Sequence, residues 1–143
     1  MSPLRYFAYG SNLDADQMRA RCPSSRPLVR ARLTHHRLGF TYFSTRWDGG
    51  AADVIPDSED EVWGAVYELD ERDLGLLDGF ERGYDRVHLE VRGDGGDLYR
   101  TTSYCVRSKR DFAPHRVYVE KMLSWGERWR LPPGYLARLR RLL

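Results

Sequence analysis

The sequence has 143 residues, a formal net charge of +2, a hydrophobic fraction of 41% and an aromatic fraction of 13%. That length fits one domain, 1–143, and the apolar content excludes an intrinsically disordered chain. The cations are almost all arginines, with Lys109 and Lys121 the only lysines, and acids are interleaved among them, which argues against a nucleic-acid-binding domain.

Leu4–Tyr9, rich in aromatics, is predicted to be a strand that ends abruptly in the turn Gly10-Ser11-Asn12. Asp14 then caps a short helix reaching about Arg21, with Gln17 placed to complete a capping box and Pro23 closing it. Residues 28–33 and 37–43 are expected as strands, followed by a long loop over 44–50. A short strand at 51–55 is stopped by Pro56, an acidic turn covers 57–61, and 62–69 is another strand. Asp70 is placed to cap a helix over 71–78 with Leu74 and Leu77 on its apolar side. Residues 84–91 and 98–106 alternate like a hairpin around Gly93-Asp94-Gly95-Gly96. Beyond Pro114 the apolar period becomes helical through Val117, Val119, Met122, Leu123 and Trp125. Leu131-Pro132-Pro133 breaks that helix, and Tyr135, Leu136, Leu139 and Leu142 mark a last one. About seven strands and four helices in irregular alternation give an α+β class.

No apolar run has the length of a membrane span, and Met1–Arg5 lacks a secretory apolar stretch, so the expected location is cytoplasmic, with no membrane partner. Cys22 and Cys105 lie far apart without Cys-x-x-Cys spacing, and no histidine pair has helical ligand spacing, so no metal site is expected. Arg138, Arg140 and Arg141 have no acid beside them in sequence. They read as an exposed helix face, where cations suit the dipole, or as a small anion-attracting patch.

Two segments carry chemistry. In Tyr9-Gly10-Ser11-Asn12, glycine permits close backbone approach and successive N–H groups entering a helix can cradle a carboxylate. Ser11 lacks the Gly-x-Ser-x-Gly frame of a nucleophile elbow. In Asp78-Gly79-Phe80-Glu81-Arg82-Gly83-Tyr84, Glu81 lies between aromatics, where desolvation would raise its pKa into the range useful for proton transfer. The same glutamate also reads as an exposed loop residue paired with Arg82 or Arg86.

The combination resembles the γ-glutamyl cyclotransferases and their bacterial relatives. The matching blocks run in the family's order: Phe7-Ala8-Tyr9-Gly10-Ser11-Asn12-Leu13, Cys22-Pro23, Ala31-x-Leu33, Gly49-Gly50-Ala51-Ala52, Ile55-Pro56-Asp57, Val62–Tyr67, Leu77-Asp78-x-x-Glu81 with Tyr84-x-Arg86, and Leu131-Pro132-x-x-Tyr135. The resemblance implies a mixed, largely antiparallel sheet curled into a small barrel with peripheral helices. It implies that Glu81 is the general acid/base, that Tyr9, Gly10, Ser11, Asn12 and Leu13 hold the substrate, that Gly50 and Ala51 line the pocket, and that Tyr118 stands at its edge. The reaction it implies is attack of a γ-glutamyl α-amine on its own γ-carbonyl, releasing 5-oxoproline, with no cofactor. The implied partner is a small γ-glutamyl molecule; a homodimer is left open, and so is a non-catalytic ligand-binding or regulatory protein on the same fold. Two departures stand out: Arg82 separates Glu81 from Gly83, and Arg130 stands where the family often has glycine.

Overall fold

A computed structural model describes residues 3–143. Five strands and four α-helices follow in the order β1 (Pro3–Ala8), α1 (Ala15–Arg21), β2 (Arg26–Ser44), β3 (Gly49–Asp70), α2 (Leu74–Phe80), β4 (Tyr84–Gly93), β5 (Leu98–Val106), α3 (Arg116–Arg128) and α4 (Pro133–Arg140). The strands close into a barrel in the order β1-β3-β2-β4-β5. Every pairing is antiparallel except the closing one, where β1 and β5 run parallel at Tyr6 and Thr102. Ser103 reinforces that thin seam by donating its hydroxyl to the Phe7 carbonyl at 2.7 Å. The mixed, largely antiparallel barrel with peripheral helices agrees with the expectation.

The strand count drops from seven to five because two expected breaks are bends instead. At His35, which adopts a left-handed φ of 61°, the β2–β3 ladder shifts register without ending. Residues 57–60 of β3 stand opposite that single histidine, so the acidic segment bulges out of the ladder rather than forming a separate turn. Pro56 faces His36 beside this irregularity, where a missing N–H costs little. The two long strands thus serve twice. Their barrel halves pair with each other and β3 pairs with β1, while 36–44 and 49–56 extend as an arm closed by the four-residue turn 45–48. The expected long loop is only that turn.

Tyr67, Phe7, Leu13, Met18, Leu77 and Met122 are fully buried and fill the core between barrel and helices. The capping reading holds for Asp14, which accepts from the Gln17 amide at 3.0 Å. The reciprocal half of the box does not form, because the Gln17 side chain turns toward Ser11 and Asn12. Asp70 makes no side-chain cap; a 3-10 turn over Glu71–Asp73 precedes α2. Val117 and Leu142 face solvent, and Tyr118 takes the inward position expected of its neighbour. Two of the C-terminal arginines find acids from elsewhere: Arg138 bonds Asp60 through both terminal nitrogens, and Arg140 meets Glu127. Among the described residues no helix is long and apolar enough to cross a membrane.

Helix α3 ends in a Schellman arrangement, with Leu131 N–H donating to the Gly126 carbonyl and Arg130 N–H to that of Glu127. Arg130 therefore sits at φ 59°, a left-handed position where a side chain is strained and glycine is not. Arg130→Gly is expected to stabilise the fold by about 0.5–1 kcal/mol, read as a higher urea midpoint at unchanged slope.

Candidate active site

Strand β1 delivers Tyr6 and Tyr9 to one end of the barrel, and the chain turns there through Gly10 into a 3-10 turn over Ser11–Leu13. A cavity of about 260 Å³ opens over this turn. The cradle and β1 form one side, the arm residues Tyr42 and Ala52 a second, and Phe80-Glu81-Arg82 a third. Tyr84, Tyr104 and Tyr118 complete an aromatic wall. The two segments singled out in the sequence, 69 positions apart at Asn12 and Glu81, meet in this space.

Gly10 is required by close approach. A Cβ there would stand 2.9 Å from the Tyr118 hydroxyl and 3.1 Å from the Ala52 Cβ. Tyr118 accepts the Ala52 N–H at 3.0 Å, and Tyr84 donates to the Ala52 carbonyl at 2.6 Å. Both backbone polar groups of Ala52 are thereby occupied, and the residue presents its methyl group as a fixed wall. Behind it, the wholly buried Asp53 accepts from Thr41 Oγ1 at 2.7 Å, the Val106 N–H at 3.0 Å and Lys109 Nζ at 2.7 Å. A buried carboxylate with that many donors holds the arm to β5.

Asn12 is the junction of the site. Its Oδ1 accepts from Gln17 Nε2 at 2.9 Å and from Arg21 at 3.1 Å. Its Nδ2 then faces the other way, to the Tyr6 hydroxyl at 3.0 Å and Glu81 Oε1 at 3.3 Å. Tyr67 and the Trp129 indole fix the following backbone, donating to the carbonyls of Asn12 and Leu13. Arg21 is buried, with its guanidinium 4.5 Å from the Phe80 ring centroid.

Glu81 caps the C-terminal end of α2, its N–H donating to the Asp78 carbonyl at 3.1 Å. Burial pushes its carboxyl from the usual range to about 7; Arg21 opposes that rise, and Asp78 adds to it. The exposed-loop reading does not hold, because the Arg86 guanidinium is taken by Asp78, which also receives the Tyr104 hydroxyl at 2.6 Å. The tyrosines of the wall are pushed the other way from usefulness as bases. Burial raises the pKa of Tyr118 to about 12, and those of Tyr6, Tyr9, Tyr84 and Tyr104 also rise. They remain protonated donors at neutral pH.

Tyr9, Gly10, Ser11, Asn12, Ala51, Glu81 and Tyr118 all line the cavity as expected. Leu13 and Gly50 do not. Leu13 is 1% exposed and packs in the core under α1 and α3. Gly50 faces the strap after β5, where a Cβ would meet the Phe112 carbonyl oxygen at 2.5 Å and its own N–H donates to Ala113. Sequence reading missed Tyr6, Arg21, Arg46, Trp47, Tyr84 and Tyr104. Two of these left a signal: Tyr84 flanks Glu81 in sequence, and Arg21 lies four residues after Gln17 on one face of a helix leaving the cradle. Among the described residues, no group of three or more His, Cys, Asp and Glu side chains converges on a common point.

A family model described as "Gamma-glutamyl cyclotransferase, AIG2-like" matches residues 6–139. The chain is 31% identical to the mouse protein named "Gamma-glutamylcyclotransferase", with 94% of this chain and 76% of that protein covered. It is 30% identical to the human protein of that name over the same shares. A solved structure titled "Gamma-glutamyl cyclotransferase" superposes with a TM-score of 0.92 at 29% identity, covering 97% of this chain and 87% of the other. With the cradle and the half-buried acid in the matched region, the chain belongs to the gamma-glutamyl cyclotransferase, AIG2-like, family.

Proposed function

We propose that Glu81 moves the proton in this cavity while the Tyr9–Asn12 turn holds the γ-glutamyl head. The activity is that of a γ-glutamyl cyclotransferase: a γ-glutamyl amide closes on itself to 5-oxoproline and releases an amine. One observation carries the assignment of residues. A carboxyl with its pKa near 7 faces a glycine-backed turn across a cavity sized for a small molecule.

The chemistry needs little beyond position. Nucleophile and electrophile are parts of one molecule, so binding it in the ring-closing pose supplies a large share of the roughly 7–11 kcal/mol available from orientation. The backbone at Ser11 and Asn12 receives the α-carboxylate. Glu81, ionised, takes a proton from the α-ammonium. The freed amine attacks the γ-carbonyl carbon, and the Tyr6 and Tyr118 hydroxyls, which accept from Asn12 and Ala52 and keep their own protons free, donate to the oxygen that gains charge. Glu81 then gives that proton to the leaving nitrogen as the C–N bond breaks, and takes the second proton from the ring nitrogen, which the freed amine carries off as its ammonium. A carboxyl poised near the operating pH serves both steps. No metal or cofactor enters this scheme. Residues 1–143 act as one catalytic unit, cytoplasmic, with a small molecule as partner.

Four outcomes test the reading. Glu81→Gln should lower 5-oxoproline release by at least about a thousandfold with circular dichroism unchanged, because no other group in the cavity can carry the proton. In the parent, kcat/KM should rise with pH through about 7, as Glu81 ionises in the free enzyme. The same carboxyl costs stability where it is charged. Its folded pKa lies above the unfolded value, so the native state binds the extra proton and loses stability as pH rises between the two. Glu81→Gln should therefore be more stable than the parent at pH 8, by on the order of 2–3 kcal/mol, and nearly equal to it at pH 4, as read by urea unfolding. Gly10→Ala should fill the space under Tyr118 and lower kcat/KM by at least about tenfold while the protein still folds.

A further inference from the structure

Resting on that function, we propose that the leaving amine is an acidic amino acid, whose two carboxylates are received by Arg46 and Arg82. Three guanidiniums, those of Arg21, Arg46 and Arg82, line the cavity against the single carboxyl of Glu81. Arg21 is already committed: it bonds Asn12 and lies against Phe80 at the inner end. Arg46 and Arg82 are different. Both are exposed at the mouth, and among the described residues neither forms a salt bridge. What sets them apart is their place: both line the cavity that Glu81 faces, whereas exposed arginines elsewhere such as Arg86, Arg107 and Arg138 are held by aspartates.

The two rim arginines come from different walls of the cavity. Arg46 belongs to the 45–48 turn at the tip of the arm, with its guanidinium 5.6 Å from the Trp47 ring centroid. Arg82 follows Glu81 directly, on the loop leaving α2. Arg46 also weakens the hold of Arg21 on its proton, so the arginines repel one another across the cavity. Like charges converging on one space without a protein counterion favour an anionic occupant.

Charge counting then selects the leaving group. In its reactive form the γ-glutamyl head carries one negative charge, the α-carboxylate, which the cradle receives. The head enters the inner end beside Glu81, so whatever is joined to its γ-carbonyl extends toward the mouth. A simple alkylamine would leave both rim arginines unmatched, a neutral amino acid would match one, and a polyamine would meet repulsion. An acidic amino acid matches both, each contact a charge-assisted hydrogen bond with guanidinium geometry suited to a carboxylate.

The test compares kcat/KM for 5-oxoproline release from γ-glutamyl-glutamate, γ-glutamyl-glutamine and γ-glutamyl-ethylamide. These leaving groups are of graded charge, and the first two are nearly equal in size. The order expected is glutamate over glutamine over ethylamide, by roughly five- to tenfold at each step, with the steps shrinking in high salt. Arg46→Gln and Arg82→Gln should each bring the glutamate-to-glutamine ratio toward one. Release from all three at similar rates, or a ratio that neither variant changes, overturns the inference and leaves the cyclotransferase function standing. A ratio moved by only one of the variants overturns the pairing of two carboxylates with two arginines. No release from any of the three overturns both.

Discussion

The site depends on one side-chain amide. Asn12 stands between Arg21 and Glu81, and it keeps a cation from bonding an acid that needs to stay near neutrality. Gln17 and Arg21 both donate to Oδ1, so the amide can only turn its NH₂ toward Tyr6 and Glu81. Glu81 thus receives a neutral donor where it would otherwise receive a guanidinium. A direct ion pair would pull the carboxyl down by one to several units, as an arginine beside an acid ordinarily does. Arg21 still acts on Glu81, but only as the smaller influence opposing burial.

The remainder of the fold serves that arrangement by removing freedom from the walls. Tyr67 and Trp129 hold the backbone of the cradle from below, and Tyr118 and Tyr84 hold Ala52 from either side. These four aromatics come from β3, the end of α3, the body of α3 and β4, so the cavity is braced by most layers of the molecule. The buried Asp53 is the costliest brace. A fully buried carboxylate is tolerable only with its donors complete, and Thr41, Val106 and Lys109 supply them. Removing any one would leave a charge under the wall that Ala52 forms.

What the sequence disclosed follows from the range of the interactions involved. The cradle is local: glycine, two polar residues and a capping aspartate within five positions, all with short-range physical meaning. Glu81 between Phe80 and Tyr84 was also visible as a local desolvation argument. The bends at His35 and Pro56 look like strand ends in sequence because composition marks where a ladder is disturbed, not whether pairing resumes beyond. Capping is the local option of Gln17; the alternative partners, Ser11 and Asn12, become available only once the turn doubles back over the helix. Leu13 and Gly50 sit within the right blocks but outside the cavity, because block membership fixes neither which way Leu13 turns its side chain nor which segment packs against Gly50. The wall tyrosines come from four different elements, and nothing short of the barrel closure brings them together.

Proton traffic in the finished cavity has a single address. No histidine or cysteine lines it, and its tyrosines are held protonated well above neutrality by burial. Glu81 is the one group that changes charge near pH 7, so the burial that brings it there selects it from all its neighbours. Closing the lactam from a tethered ammonium moves two protons in succession off the attacking nitrogen, and Glu81 can carry each in turn. A site with two titrating groups would have to control which of them answered, whereas this one meets the requirement through desolvation and one neutral amide.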